Sequence, residues 1–210
     1  MKNYRHIEEL KVSFTTKKDA IRVRLKEYGE VPQEKYFYEL LYCLMTPQSS
    51  AVNAGKAQKD FESLDYRHTN ADPEPVLFQK DHYIRFHRSK ARWIEAMKKN
   101  YDTIMQVTVG PMSAEEKREW FVKNVIGLSY KEATHFLRNI GKNDGLAILD
   151  RHIVKNLKYH GVIRSLPLSL NKKRYLSIEK KFQTFAGEIG LSIDELDLLF
   201  WSNEAGEILK

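Results

Sequence analysis

An all-α fold is predicted for this 210-residue chain. Apolar residues recur at spacings of three and four through most segments, alternating β-branched runs between turn residues are scarce, and helix-start signals recur along the sequence. Ile7 to Tyr28 reads as a first amphipathic helix, ended by Gly29 and Pro32. Gln33 to Met45 reads as a strongly apolar one. Thr46-Pro47-Gln48-Ser49-Ser50 must break that helix, because Pro47 cannot continue it, and Ser49 or Ser50 can cap the helix that follows. Pro73 and Pro75 mark a loop, and His87 to Met105 is a basic amphipathic stretch. Ser113-Ala114-Glu115-Glu116 has capping-box spacing, so a helix starts there and runs to about Val125. Tyr130 to Ile140 follows, then a turn over Gly141 to Gly145 and a helix from Arg151 to Tyr159. Gly161 and Pro167 separate these from a C-terminal pair, Asn171 to Glu188 and Ile193 to Glu204, the second opened by the capping box Ser192-Ile193-Asp194-Glu195. No internal repeat or low-complexity tract is present.

A chain of this length can bury one sizeable core or two small subdomains. Lys and Arg number 35 against 28 Asp and Glu, a net charge of +7 and a pI near 9.3. That balance favours an anionic partner such as nucleic acid, although charge alone is shared with many basic proteins that bind none. The single Cys43, inside the apolar run Leu40 to Leu44, reads as an inert buried thiol. One cysteine excludes a disulfide within the chain and a four-cysteine iron–sulfur cluster. No apolar stretch follows the N-terminus and no run has the length of a membrane span, so a soluble, cytoplasmic protein without membrane contact is expected.

The most informative stretch is Val125-Ile126-Gly127-Leu128-Ser129-Tyr130-Lys131-Glu132-Ala133, followed by Leu146-Ala147-Ile148-Leu149-Asp150-Arg151-His152-Ile153. A glycine-bearing hairpin opens a helix that carries Lys131 in its first turn. Nineteen residues later Asp150 stands just ahead of another helix. That is the layout of an amine nucleophile and a carboxylate partner beside a hairpin able to hold a DNA phosphate. Backbone amides at Gly127, Leu128 and Ser129, next to a helix start, can meet a phosphate oxygen, because unpaired amides and the helix dipole both favour an anion. An amine attacks only when neutral, and an unperturbed lysine pKa of about 10.4 leaves almost none neutral at pH 7. Burial and the positive end of a helix both disfavour the charged form, so a first-turn lysine is well placed for activation. Each residue alone also has an ordinary explanation. Gly-Leu-Ser is a common helix–helix turn, a helix lysine is usually a surface charge, and an aspartate before Arg151 is a preferred N-cap.

With these residues in view, the chain resembles the helix-hairpin-helix DNA glycosylases, and within them the archaeal and bacterial 8-oxoguanine glycosylase/lyases of the Ogg2 type. The likeness covers nearly the whole chain. It implies one glycosylase unit over residues 1–210, with two helical subdomains flanking a DNA-binding cleft and the hairpin motif at about 117–140. The resemblance assigns Lys131 as the nucleophile at the sugar C1′ and Asp150 as the assisting carboxylate, which stabilises positive charge on the sugar and helps proton transfer. Relatives usually carry a second glycine where Ser129 stands here.

Three further stretches carry the likeness. Leu44-Met45-Thr46-Pro47-Gln48-Ser49-Ser50-Ala51-Val52-Asn53-Ala54 implies a turn that enters DNA at the damaged base, with Gln48 filling the gap that extrusion leaves. Arg85-Phe86-His87-Arg88-Ser89-Lys90-Ala91 implies basic residues for phosphates, Arg88 among them, and in Phe86 a face for the flipped base. The tail from Phe200 to Lys210 implies that Lys210 reaches the base pocket, with Trp201 stacking opposite Phe86. A lone phenylalanine is more often core, and a helix also needs aromatics for packing.

8-Oxoguanine carries a hydrogen-bond donor at N7 where guanine has an acceptor. A pocket acceptor at N7, either a backbone carbonyl or the carboxylate of Lys210, would be left unpaired against guanine, a penalty of about 1–3 kcal/mol. The implied reaction needs no metal or organic cofactor. The expected partner is double-stranded DNA containing 8-oxoguanine, engaged by a monomer. The alternatives are a glycosylase of the same superfamily for another oxidised base, and a helix-hairpin-helix module that binds DNA without catalysis.

Overall fold

The structure, a computed structural model, describes residues 3–206 and 208. Among them there is no strand, and eleven α-helices carry the fold. They fall into two compact units, one formed by Val31–Ile140 and the other by Met1–Glu30 joined to Gly141–Lys210.

The first unit is built on α2 (Tyr36–Met45), which follows a 3-10 turn over Gln33–Lys35. All ten residues of α2 are buried; the helix is apolar or aromatic except at Glu39, whose carboxylate accepts from the Gln58 and Asn139 side-chain amides. Around it lie α3 (Ala51–Ser63), α5 (His87–Lys99) and α8 (Tyr130–Asn139). Ser50 caps α3 by accepting the Asn53 amide. The loop expected at Pro73 and Pro75 is instead a short helix, α4 (Glu74–Leu77), with Pro75 in its first turn, where a missing amide costs nothing.

The basic stretch expected as one helix from His87 to Met105 is two, α5 and α6 (Tyr101–Val109), divided at Asn100. Asn100 turns its side-chain amide back onto the Ala96 carbonyl and shares its backbone N–H between Ala96 and Met97. An asparagine that binds the preceding turn in this way competes with helix continuation, and an apolar repeat does not report the break. The capping box at Ser113 and Glu116 opens α7 (Ala114–Asn124) as expected, with both reciprocal bonds formed.

In the second unit, α11 (Ile193–Ala205) packs on α1 (Ile7–Gly29), α9 (Arg151–Tyr159) and α10 (Lys172–Ile189). Phe182, Leu196, Leu199, Phe200, Ile153 and Leu157 form its dry interior. Ser192 and Glu195 cap α11, and Asn171 caps α10 through the Arg174 amide. Leading into α9, residues 146–150 are buried but belong to no helix. Buried backbone without a helical ladder must find other partners. Two side chains of α10 supply them. Tyr175 donates its hydroxyl to the Ala147 carbonyl at 2.6 Å and accepts the Leu149 amide at 3.1 Å, and Glu179 accepts the Ala147 amide at 2.8 Å. These bonds fix the segment that ends at Asp150.

Candidate active site

Of the ten residues of α8, nine are buried and Lys131 alone reaches the surface. Its ammonium stands 3.7 Å from the Glu132 carboxylate. That carboxylate also accepts the Ser129 backbone N–H at 3.2 Å and the Ser129 hydroxyl. Ser129 is therefore the N-cap of α8, and its amide is directed to Glu132 within the protein. Leu128 is buried, and its amide bonds the Val125 carbonyl. By helix geometry, the start of α8, where first-turn amides point out of the intrahelical ladder, is where an anion can be met. The serine–glutamate pair has the same spacing as the pairs at Ser113 and Ser192, so the signal for this cap is present in the sequence.

Gly127 takes φ +91°. A Cβ there would also lie 2.5 Å from the Trp93 ring and 3.1 Å from Leu44. The hairpin thus needs glycine twice over, for its left-handed backbone and for the close approach of an indole from α5. Gly127→Ala is expected to destabilise the protein by about 1–3 kcal/mol or more in urea unfolding, from the backbone strain alone before Trp93 is displaced. A loss below about 0.5 kcal/mol, the range of ordinary surface changes, would show that the hairpin and Trp93 can give way freely.

Asp150 precedes α9 as its N-cap. One carboxylate oxygen, Oδ1, accepts the amides of His152 and Ile153, both at 2.8 Å. The other, Oδ2, accepts the indole N–H of Trp201 at 2.9 Å. The two oxygens are therefore divided between holding the helix start and facing Trp201. Trp201, expected as a stacking surface for the base, is seen here as a hydrogen-bond donor to Asp150. Its ring also leans on His152, with centroids 4.8 Å apart, and His152 lies 3.6 Å from Glu204.

In the first unit, Gln48 is exposed in the turn between α2 and α3, with φ +55°. Phe86, just before α5, is half exposed with φ +60°, and the Arg85 guanidinium sits 5.4 Å from its ring centroid. Arg88 is exposed and pairs with Glu74 at 3.4 Å. Lys90 departs from expectation. The basic residues of this stretch read as phosphate contacts, yet Lys90 is buried and donates to the carbonyls of Met45 and Pro47 and to the Ser49 hydroxyl. Burial pushes its pKa down to about 8, with Arg85 and Lys131 acting the same way and Glu132 opposing them. At neutral pH it remains mostly protonated. Gln48, Phe86, Arg88, the hairpin and Lys131 thus share one unit, while Asp150 and Trp201 share the other and touch. Lys210 lies outside the described residues.

With this geometry established, comparison with known proteins is specific. A family model described as 8-oxoguanine DNA glycosylase matches residues 21–191. An 8-oxoguanine DNA glycosylase/AP lyase of Fusobacterium nucleatum is 36% identical, with 100% of each chain covered. One from Methanocaldococcus jannaschii is 33% identical over 97% of each chain. Among solved structures, that of a Methanocaldococcus jannaschii 8-oxoguanine glycosylase/lyase in complex with 15mer DNA containing 8-oxoguanine superposes with a TM-score of 0.86 at 31% identity, covering 97% of this chain and 99% of that one. The 8-oxoguanine DNA glycosylase of Thermotoga maritima gives 0.85 at 29% identity, covering 97% and 98%.

Proposed function

This chain belongs to the 8-oxoguanine DNA glycosylase family, and on that premise we propose that it is a bifunctional DNA glycosylase/AP lyase excising 8-oxoguanine in base excision repair. The observation that carries the assignment of chemistry is the placement of Lys131. It is the one surface-reaching residue of a helix otherwise buried, in the first turn after a hairpin that only glycine can form. In the neutral form its Nζ attacks C1′ of the lesion nucleotide, the C1′–N9 bond breaks, and the base leaves with a proton. The adduct opens to a Schiff base between Nζ and C1′. Loss of a C2′ proton then expels the 3′ phosphate by β-elimination, and water releases the product and regenerates the amine.

Asp150 stabilises the positive charge that develops on the sugar. Its Oδ1 is occupied by the α9 amides, so Oδ2, which takes the Trp201 N–H, is the oxygen assigned to that work. Gln48 fills the stack, Phe86, Trp201 and Lys210 are assigned to base recognition, and Arg88 with the start of α8 holds phosphates. Action as a monomer belongs to the same proposal. A cytoplasmic location, where DNA lies in bacteria and archaea, belongs to the same proposal. Among the described residues no helix is long and apolar enough to cross a membrane.

Borohydride trapping against duplexes bearing 8-oxoguanine, oxidised pyrimidines or no lesion tests the reading. A covalent complex should form with 8-oxoguanine in preference to the others. Preference for an oxidised pyrimidine would reassign the substrate, and no complex with any duplex would remove the chemistry. The net charge of +7 gives a second expected result. Affinity for undamaged duplex should fall linearly with salt on a log–log plot, with a slope of about −3 to −6, since each neutralised phosphate contributes about 0.9. A flat response would exclude phosphate-dominated binding.

A further inference from the structure

We propose that Lys90 is a positioning residue for base extrusion, its buried ammonium bracing, through Ser49, the turn that presents Gln48 to the segment that presents Phe86. The inference rests on the reading that these two side chains meet the lesion nucleotide. Lys90 is 1% exposed. Its three protons find three oxygens: Met45 O at 2.6 Å, Pro47 O at 2.7 Å and Ser49 Oγ at 3.1 Å. Met45 is the last residue of α2, whose terminal carbonyls have no amide partner within the helix and form its negative end. A cation from α5 thus completes α2 and the turn that follows it.

Ser49 carries the bracket across. Its Oγ accepts the Arg85 backbone N–H at 3.0 Å as well as the Lys90 ammonium. Asn53 adds a second tie, donating its side-chain amide to the Tyr83 carbonyl at 3.1 Å. Gln48 therefore lies between two residues bonded to Lys90, and Phe86 follows a residue whose amide Ser49 holds. Both Gln48 and Phe86 are non-glycine residues in the left-handed region with exposed side chains. Such conformations persist where the surroundings over-determine them, and they cluster where a side chain must be aimed. An apolar side chain of similar length would fill the same space without the cost of burying a charge. What the ammonium adds is direction, three bonds that hold the turn after α2, with Ser49 passing that hold to the segment before α5.

The test uses Lys90→Met, which keeps the stem and removes the charge, and Ser49→Ala, a gentler cut in the same bracket. Single-turnover excision of 8-oxoguanine is compared with cleavage at a preformed abasic site, each per folded molecule. An abasic site has no base to extrude, so it needs the chemistry and less of the aim. Lys90→Met should lower excision by about tenfold to a hundredfold, as a misplacement near 1 Å does, and abasic-site cleavage by no more than about threefold. Ser49→Ala should show the same asymmetry at smaller size, and carries the test if Lys90→Met does not fold. In a Lys131→Gln background, 2-aminopurine placed beside the lesion should brighten less when either bracket residue is changed. Combined with Gln48→Ala, Lys90→Met should add less than it costs in the wild-type protein, because part of its effect acts through Gln48.

Equal losses on both substrates, full excision in both variants, or losses that multiply with Gln48→Ala would each overturn the bracket. Absence of 8-oxoguanine excision by the wild-type protein would instead overturn the functional reading beneath it.

Discussion

Lys131→Gln is expected to give no borohydride-trapped complex with 8-oxoguanine DNA, while affinity for the duplex stays within a few-fold of wild type. Glutamine nearly preserves the length and polarity of the side chain but has no amine with which to form a Schiff base. Only Lys131 in α8 reaches the surface, so the substitution leaves the buried face of the helix and its packing on α2 intact. The capping of α8 also survives, because the bonds from Ser129 go to Glu132. Stability should therefore change by less than about 0.5 kcal/mol, as at other surface positions. Loss of trapping with an intact fold would isolate the chemistry. A trapped adduct at wild-type yield would show that a different amine is the nucleophile.

Asp150→Asn should lower base excision by roughly two or more orders of magnitude, the scale of losing a charge-stabilising or proton-transferring group. The structure separates what is kept from what is lost. Asparagine caps a helix about as well as aspartate, so its Oδ1 can still accept the His152 and Ile153 amides. In that orientation its Nδ2 replaces Oδ2 and faces the Trp201 N–H, setting donor against donor. The negative charge and the indole hydrogen bond are lost together, with a stability cost of about 1–3 kcal/mol for the polar group left unpaired.

Trp201→Phe divides the two effects, since it keeps the Asp150 charge and an aromatic ring but removes the N–H. Excision by Trp201→Phe should fall less than by Asp150→Asn, and single-turnover rates per folded molecule decide. If Asp150→Asn lost several kcal/mol of stability but kept wild-type excision in its folded fraction, Asp150 would be a helix cap only.

Much of the fold was legible from local pattern. Caps at Ser50, Ser113, Asn171 and Ser192 start their helices where the side-chain chemistry says they should, because a cap is decided by three or four consecutive residues. The departures from that pattern are also local in origin. Asn100 divides a helix whose apolar repeat runs on past it, Pro75 sits in a short helix where a proline pair suggests a loop, and the cap from Ser129 to Glu132 overlaps the glycine turn and the lysine in the same few residues.

By itself the sequence determined an all-helical chain and a lysine in the first turn after a glycine hairpin. It also determined an aspartate in the N-cap position and a resemblance that the relative from Fusobacterium nucleatum shares over its full length. Each of these is written in neighbouring residues or in a short period, which one-dimensional reading can detect. The tertiary structure alone decided that Oδ2 of Asp150 receives an indole N–H from 51 positions away. It also decided that Lys90, one basic residue among several, turns inward to oxygens 41 to 45 positions earlier. No periodicity encodes those bonds. They exist because packed helices bring particular donors to carbonyls and carboxylates that would otherwise be buried without partners.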